Sequence, residues 1–285
     1  MMAELIDRKR LKAETRELLG TARVSPRGMT ALYLGLAMAL SMLDYLAGGG
    51  NAVLERNPVG IFTYVLTALL TAVLGAGFSL YCMAVRRGER AEYLTLFDGF
   101  SFVGKLIALN VVESLLIILW SMLFVIPGIV AAYRYRFALY NLYENPGIGV
   151  MEALDMSKRQ TWGYKSQIFA LDWSYFGWLM LASLPLLAML FLLYRLVFQI
   201  VTGPMPNLTT EELVAQALVL PVWAWSLIGS VFALAVGLFY VPNRECVELG
   251  YFEIAKRTSG VGWNAAPPRP EDNPNSGWTG GWGQM

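Results

Sequence analysis

Three charged residues set in apolar surroundings carry most of the chemistry this sequence offers. Glu113 lies in "LIALNVVESLLIILWSMLFV", and Arg134 and Arg136 lie in "IPGIVAAYRYRFALYNLYENP", residues 126–146. A charge within a lipid-embedded helix is costly, so each needs a partner or a purpose. On helical geometry Glu113 is about 10 Å in from the inner end of its run, Arg136 is at a similar depth and Arg134 is about 13 Å in. The spacing favours a Glu113–Arg136 pair, with Arg134 beside it, holding a returning helix against its neighbour. The rival reading turns the arginines toward a cavity, where a guanidinium offers a two-pronged match to a lipid phosphate. The four tyrosines of the same stretch suit an interfacial belt or a cavity lining.

Other chemistry has little material. The chain has no histidine, so the commonest metal ligand and general base are both missing. Cys82 and Cys246 are too few and too far apart for a zinc pattern or a disulfide framework, and read as small apolar side chains. There is no Ser-His-Asp set, phosphate loop or pair of catalytic carboxylates. A non-enzymatic protein with no cofactor, no metal and no nucleic-acid partner is expected. Gly75 and Gly77 in "LGAGFSL" point to close helix packing rather than a nucleotide loop. Lys158, Arg159 and Lys165 in "SKRQTWGYK" are candidate contacts for anionic lipid headgroups, and equally suit a solvated basic loop. Asp44 and Asp172 read as wetted or interfacial, and Arg195 can snorkel to the outer surface.

The elements that must position these residues are membrane spans. Over 285 residues, 56% are hydrophobic, 15% are charged and mean hydropathy is +0.49. Such a chain is too apolar for an ordinary soluble domain, and its apolar runs are too long for barrel strands. The expected fold class is all-α, a polytopic helical membrane protein with six transmembrane helices. Spans are expected at about 29–47, 60–85 and 105–126. A fourth starts at Pro127-Gly128, where proline suits the first helical turn. A fifth runs from near Phe176 to near Arg195 with a kink at Pro185, and a sixth covers about 217–241. "AEYLTLFDGFSF" reads as interfacial, and "GIGVMEALDMSKRQTWGYKS" as a short inner amphipathic helix with Ile148, Met151 and Leu154 on one face. Trp173, Tyr175 and Trp178 resemble an aromatic belt.

The domain plan is a basic helix near lipid headgroups in 1–28, a membrane domain in 29–241, a surface helix in 242–259 and a disordered tail in 260–285. The basic n-region is too long and mixed for a cleaved signal, so the first span is expected to be retained. In the tail, Trp263, Trp278 and Trp282 each follow glycine and read either as docking residues or as sticky residues of a disordered segment.

Charge settles the count in favour of six. With six spans the inner side holds seven Lys/Arg in 1–28, four in 86–105, three in 145–165 and four in 242–285, against only Arg56 in the outer loops. Five spans would strand Lys158, Arg159 and Lys165 outside. The expected location is the inner cell membrane, with several passes and both termini cytoplasmic. One difficulty is length: residues 128–143 make a helix of only about 24 Å, short of the roughly 30 Å core.

Several stretches together resemble an uncharacterised bacterial membrane family, domain of unknown function 975. They are "RLKAETRELL", "RRGE…LFDGF", "IPGIVAAYRYRFALYNLYENP", "ALDMSKRQTWGYK", "SYFGWLML" and "GYFEIAKR", spread over residues 8–258, with the specific part from Ile126 to Leu181. The Pro-Gly helix is also distantly similar to the membrane domain of some glycerophosphodiester phosphodiesterases, without their catalytic part. The resemblance implies a six-span bacterial inner-membrane protein and no activity. It leaves about 185–220 and the Trp-Gly tail unassigned.

Two roles follow as expectations. The first is a scaffold or regulatory partner in envelope homeostasis, contacting membrane lipids and a membrane-protein partner or a second copy of itself. The alternative is a lipid or amphiphile transporter in which Arg134 and Arg136 hold an anionic headgroup.

Overall fold

The computed structural model of the protein describes residues 4–48, 57–202 and 222–262. The expected outer loops around Arg56 and at 203–216, and the tail tryptophans, lie outside them. Among the described residues the fold is all-helical. Helix α1 spans Arg8–Thr21, α2 Pro26–Gly48 and α3 Pro58–Arg86. A 3-10 stretch, Tyr93–Phe102, leads into α4, Val103–Leu123, which is followed by α5, Val125–Tyr135, and α6, Ala138–Glu144. Then come α7 (Val150–Gln160), α8 (Lys165–Trp173), α9 (Phe176–Ala182), α10 (Leu184–Thr202) and α11 (Val222–Ser259).

Among the described residues five helices are long and apolar enough to cross a membrane: Pro26–Gly48, Pro58–Arg86, Tyr93–Leu123, Leu184–Thr202 and Ala224–Ser259. They make this a multi-pass membrane protein by length and composition.

Local signals explain where several elements start and stop. The Asn57 side chain accepts from the Gly60 amide at 2.7 Å, capping α3 ahead of Pro58. At the other end of α3, Gly88 adopts φ +69°, and the Glu89 amide donates back to the Ala84 carbonyl at 2.9 Å. That closure requires a left-handed residue, which glycine supplies without strain.

The turn between α4 and α5 is tighter and earlier than the sequence suggested. Phe124 alone is extended, and the new helix begins at Val125, which leaves Pro127 in the first turn where no intrahelical donor is lost. The two helices are so close that a Cβ on Gly128 would overlap Ser121. The two helical pieces of the return path, 11 and 7 residues long, make about 27 Å of helix, against about 24 Å expected from 128–143. The path is broken at Arg136–Phe137. There the freed Phe137 amide donates to Ser157 Oγ at 3.1 Å, and that hydroxyl donates to the Arg134 carbonyl at 2.9 Å. A single serine hydroxyl on α7 thus satisfies backbone groups on both sides of the break.

Packing is concentrated at one end of the bundle. The main core joins Leu11 of α1, Leu74, Phe78 and Tyr81 of α3, Phe137 and Tyr140, Ile168 and Leu171 of α8, and Val247, Tyr251 and Phe252 of α11. The remainder of α4, the α4–α5 turn and α10 present exposed Leu, Ile and Phe side chains, as a lipid-facing surface does. Two sequence expectations are corrected here. Residues 242–259 are not a surface helix: α11 continues through Pro242, and Cys246, Val247, Leu249, Tyr251, Phe252 and Ala255 are fully buried. Helix α1 is held on α8 and its flank, where Arg8 donates to the Ala170 carbonyl and Lys12 to Ser174 Oγ. On α7 the inward residues are Ala153, Leu154, Ser157 and Gln160, whereas Met151 is 65% exposed.

Candidate functional site

The arginines at the centre of the sequence argument take different directions, since residues two apart on a helix point to nearly opposite faces. Arg136 reaches α11 and grips Glu248 with two parallel hydrogen bonds, Nε to Oε1 at 2.6 Å and Nη2 to Oε2 at 2.7 Å. This is the fork-to-fork geometry of the strong guanidinium–carboxylate pair. It also lies 3.7 Å from Asp172, which receives Arg244 at 2.8 Å. Arg134 stays apart. Its carbonyl accepts from Ser157 and Thr161, its Nε is buried without a hydrogen-bond partner, and its guanidinium acts on Lys165. Partial burial, with that charge nearby, pushes the Lys165 ammonium below its usual pKa.

Around Arg136 the cluster is closed by hydroxyls. Tyr140 places its O–H 3.2 Å from Oε1 of both Glu245 and Glu248, and Ser79 donates to Glu245 Oε1 at 2.6 Å. Tyr133 donates to Asp172 Oδ2 at 2.9 Å. Three carboxylates therefore face two guanidiniums, and donors from α3, α5 and α6 make up the difference. Glu113, expected as the partner of Arg136, forms no ion pair among the described residues and feels that arginine only at longer range. The expected pairing across the α4–α5 hairpin is replaced by one between Arg136, at the break between α5 and α6, and Glu248 of α11, which takes two parallel hydrogen bonds from it.

A second group of charges ties the same elements further out. Glu144 accepts from Lys256 at 2.8 and 3.0 Å and also pairs with Arg87. Arg86 binds Glu253 and donates to the Cys246 carbonyl at 3.1 Å. Between the two groups Asn141 and Gln160 exchange amide hydrogen bonds, both at 2.7 Å, with both side chains buried. Gln160 also donates to the Val261 carbonyl at 2.9 Å, anchoring the end of α11. Gln160→Leu leaves the Asn141 amide without its buried partner, and the expected loss is about 1–3 kcal/mol, read as a lower unfolding temperature in detergent. Asn141→Leu/Gln160→Leu together should lose less than the two single losses added.

The three basic residues proposed for headgroups do not converge. Lys158 is exposed at the end of α7, Arg159 pairs with Asp155 one turn back at 2.8 Å, and Lys165 lies 5.8 Å from the Trp162 ring centroid. The sequence reading missed Asp172, Arg244, Glu245 and Glu248 as one site. A signal was present: "RECVE" puts Arg244 and Glu248 one turn apart in a segment with apolar residues on every side, which marks a buried helix. Among the described residues no group of three or more potential metal ligands is present. As arranged, the cluster can lock helices together and hold charge in a fixed place.

No curated protein and no solved structure matches this chain. The likeness to phosphodiesterase membrane domains therefore rests on the sequence motifs alone. The stretch carrying Glu113, Arg134, Arg136 and Asp172 falls within residues 110–210, which match the family model described as "Protein of unknown function (DUF975)".

Proposed function

We propose that this protein crosses the cytoplasmic membrane six times, with both termini inside, and works without catalysis as a scaffold or regulatory partner in the envelope. The sixth crossing is the α5–α6 return path, whose roughly 27 Å of helix comes close to the roughly 30 Å core. The bias of Lys and Arg toward one side supports the orientation.

One observation carries the role. The inner ends of α1, α3, α6, α7, α8 and α11 are bound into a single layer by ion pairs and buried amides. A layer fixed in this way keeps a constant inner face, which suits holding a partner better than moving a substrate. The transport alternative asks Arg134 and Arg136 to hold a headgroup, and Glu248 already occupies the Nε–Nη2 edge of Arg136.

The test has two arms. Thiol labelling in intact cells should reach Lys158→Cys and Ala13→Cys only after the inner side is exposed, and Phe124→Cys from outside; labelling of Lys158→Cys from outside sinks the topology. Crosslinking of the wild-type protein in membranes, followed by the reciprocal capture, should recover the same membrane partner both ways. A monodisperse protein that captures none counts against the scaffold role.

A further inference from the structure

The geometry points to a binding site for the phosphate of an anionic lipid, in a cavity of about 540 Å³ where the α1–α2 link meets α11. The site goes beyond the proposed role and does not depend on the orientation of the chain. Arg16, Arg23 and Arg27 rim the cavity, and no acidic residue lines it. None of the three belongs to an ion pair among the described residues, whereas Arg86, Arg136, Arg244 and Lys256 are each paired. Three guanidiniums turned to one opening without a counter-ion make a strong local positive potential, and their planar forks suit phosphate oxygens.

The interior supplies a second, independent observation. Asn243 lines the cavity and is 7% exposed. Its Oδ1 accepts the Tyr175 hydroxyl at 2.6 Å, and its Nδ2 is a buried donor with no hydrogen-bond partner. Buried donors are rarely left unmet, so this one calls for an acceptor. The first turn of α2, at Pro26 and Arg27, lies on the same cavity and adds the positive end of a 23-residue helix. Every polar feature named here therefore prefers an anion.

The remaining wall explains why the anion should carry an apolar body. Trp178 stacks on Tyr240 with ring centroids 6.1 Å apart, and Phe239 lies beneath Arg27 at 5.5 Å from its centroid to the guanidinium carbon. This aromatic surface sits where two apolar helices, α2 and α11, reach the charged layer, at the level a headgroup occupies. A phospholipid can place its phosphate among the arginines and its glycerol and upper chain along the rings.

The experiment is native mass spectrometry of the delipidated full chain in mild detergent, titrated with dioleoylphosphatidylglycerol or dioleoylphosphatidylcholine. Wild type should bind one phosphatidylglycerol at least about tenfold more tightly than phosphatidylcholine. Arg23→Gln/Arg27→Gln removes two exposed, unpaired cations and should weaken phosphatidylglycerol by about tenfold or more at an unchanged unfolding temperature. Arg10→Gln/Arg159→Gln removes the same charge outside the cavity and should leave binding unchanged. Equal binding of the two lipids by wild type, or equal weakening in both variants, overturns the site. Inorganic phosphate is then added to the wild-type complex. Failure to displace the lipid supports the assignment, and displacement means that free phosphate is the ligand and overturns the lipid. The wild-type arms decide the matter even if a variant fails to fold.

Discussion

Glu248→Gln should destabilise the protein by about 3–5 kcal/mol, the cost typical of breaking a buried ion pair from one side. The Glu248 side chain is only 4% exposed and takes both forks of Arg136. Without its charge, Arg136 is left to Asp172 at 3.7 Å, a carboxylate already engaged by Arg244 and Tyr133. Tyr140 keeps Glu245 as an acceptor, so the damage centres on the arginine. Removing both charges should be much milder, because the apolar pair Arg136→Met/Glu248→Met leaves no unpaired ion behind. Wild type, Arg136→Met, Glu248→Met and the double variant form the cycle, read as unfolding temperatures and denaturation midpoints in one detergent. Additive losses would show that Arg136 and Glu248 do not hold each other. Glu113→Gln is the contrasting case: with no ion pair to lose, it should change stability far less.

The second large effect is expected at Gly77. In α3 it meets the 3-10 stretch so closely that a Cβ would overlap the Leu96 carbonyl, while a Cβ on Gly99 would approach the Val73 carbonyl to 2.5 Å. Two glycines thus bring two backbones into direct contact, and backbone cannot swing aside as a side chain can. Gly77→Ala should cost about 3 kcal/mol, at the upper end of ordinary overpacking. Gly75 has the same sequence context, yet a Cβ there meets only the Tyr33 hydroxyl at 3.6 Å. Gly75→Ala should be neutral or stabilising within about 1 kcal/mol, since alanine is the better helix former. Similar losses at both positions would mean that the α3 contact does not depend on the missing Cβ.

These contrasts separate what was legible in the sequence from what was not. The apolar runs are local signals, and they sufficed for an all-helical membrane protein. They also located the Pro-Gly return, although its helix begins two residues earlier than proline alone suggests. "LGAGFSL" announced close packing, but nothing local distinguished Gly77 from Gly75, because the difference lies in the position of Leu96.

The polar cluster shows the same limit more sharply. The sequence determined that Arg136 needed a partner or a purpose at that depth, an acid or a lipid phosphate. Depth along neighbouring helices favoured Glu113 as the acid. Only the tertiary structure selected Glu248, 112 residues away, through the break after Arg136 and the continuation of α11 past Pro242. Helices form from contacts a few residues apart, so their existence is written locally. Ion-pair partners are chosen by how whole helices rotate and tilt against one another, and that is decided by the packing of all of them together.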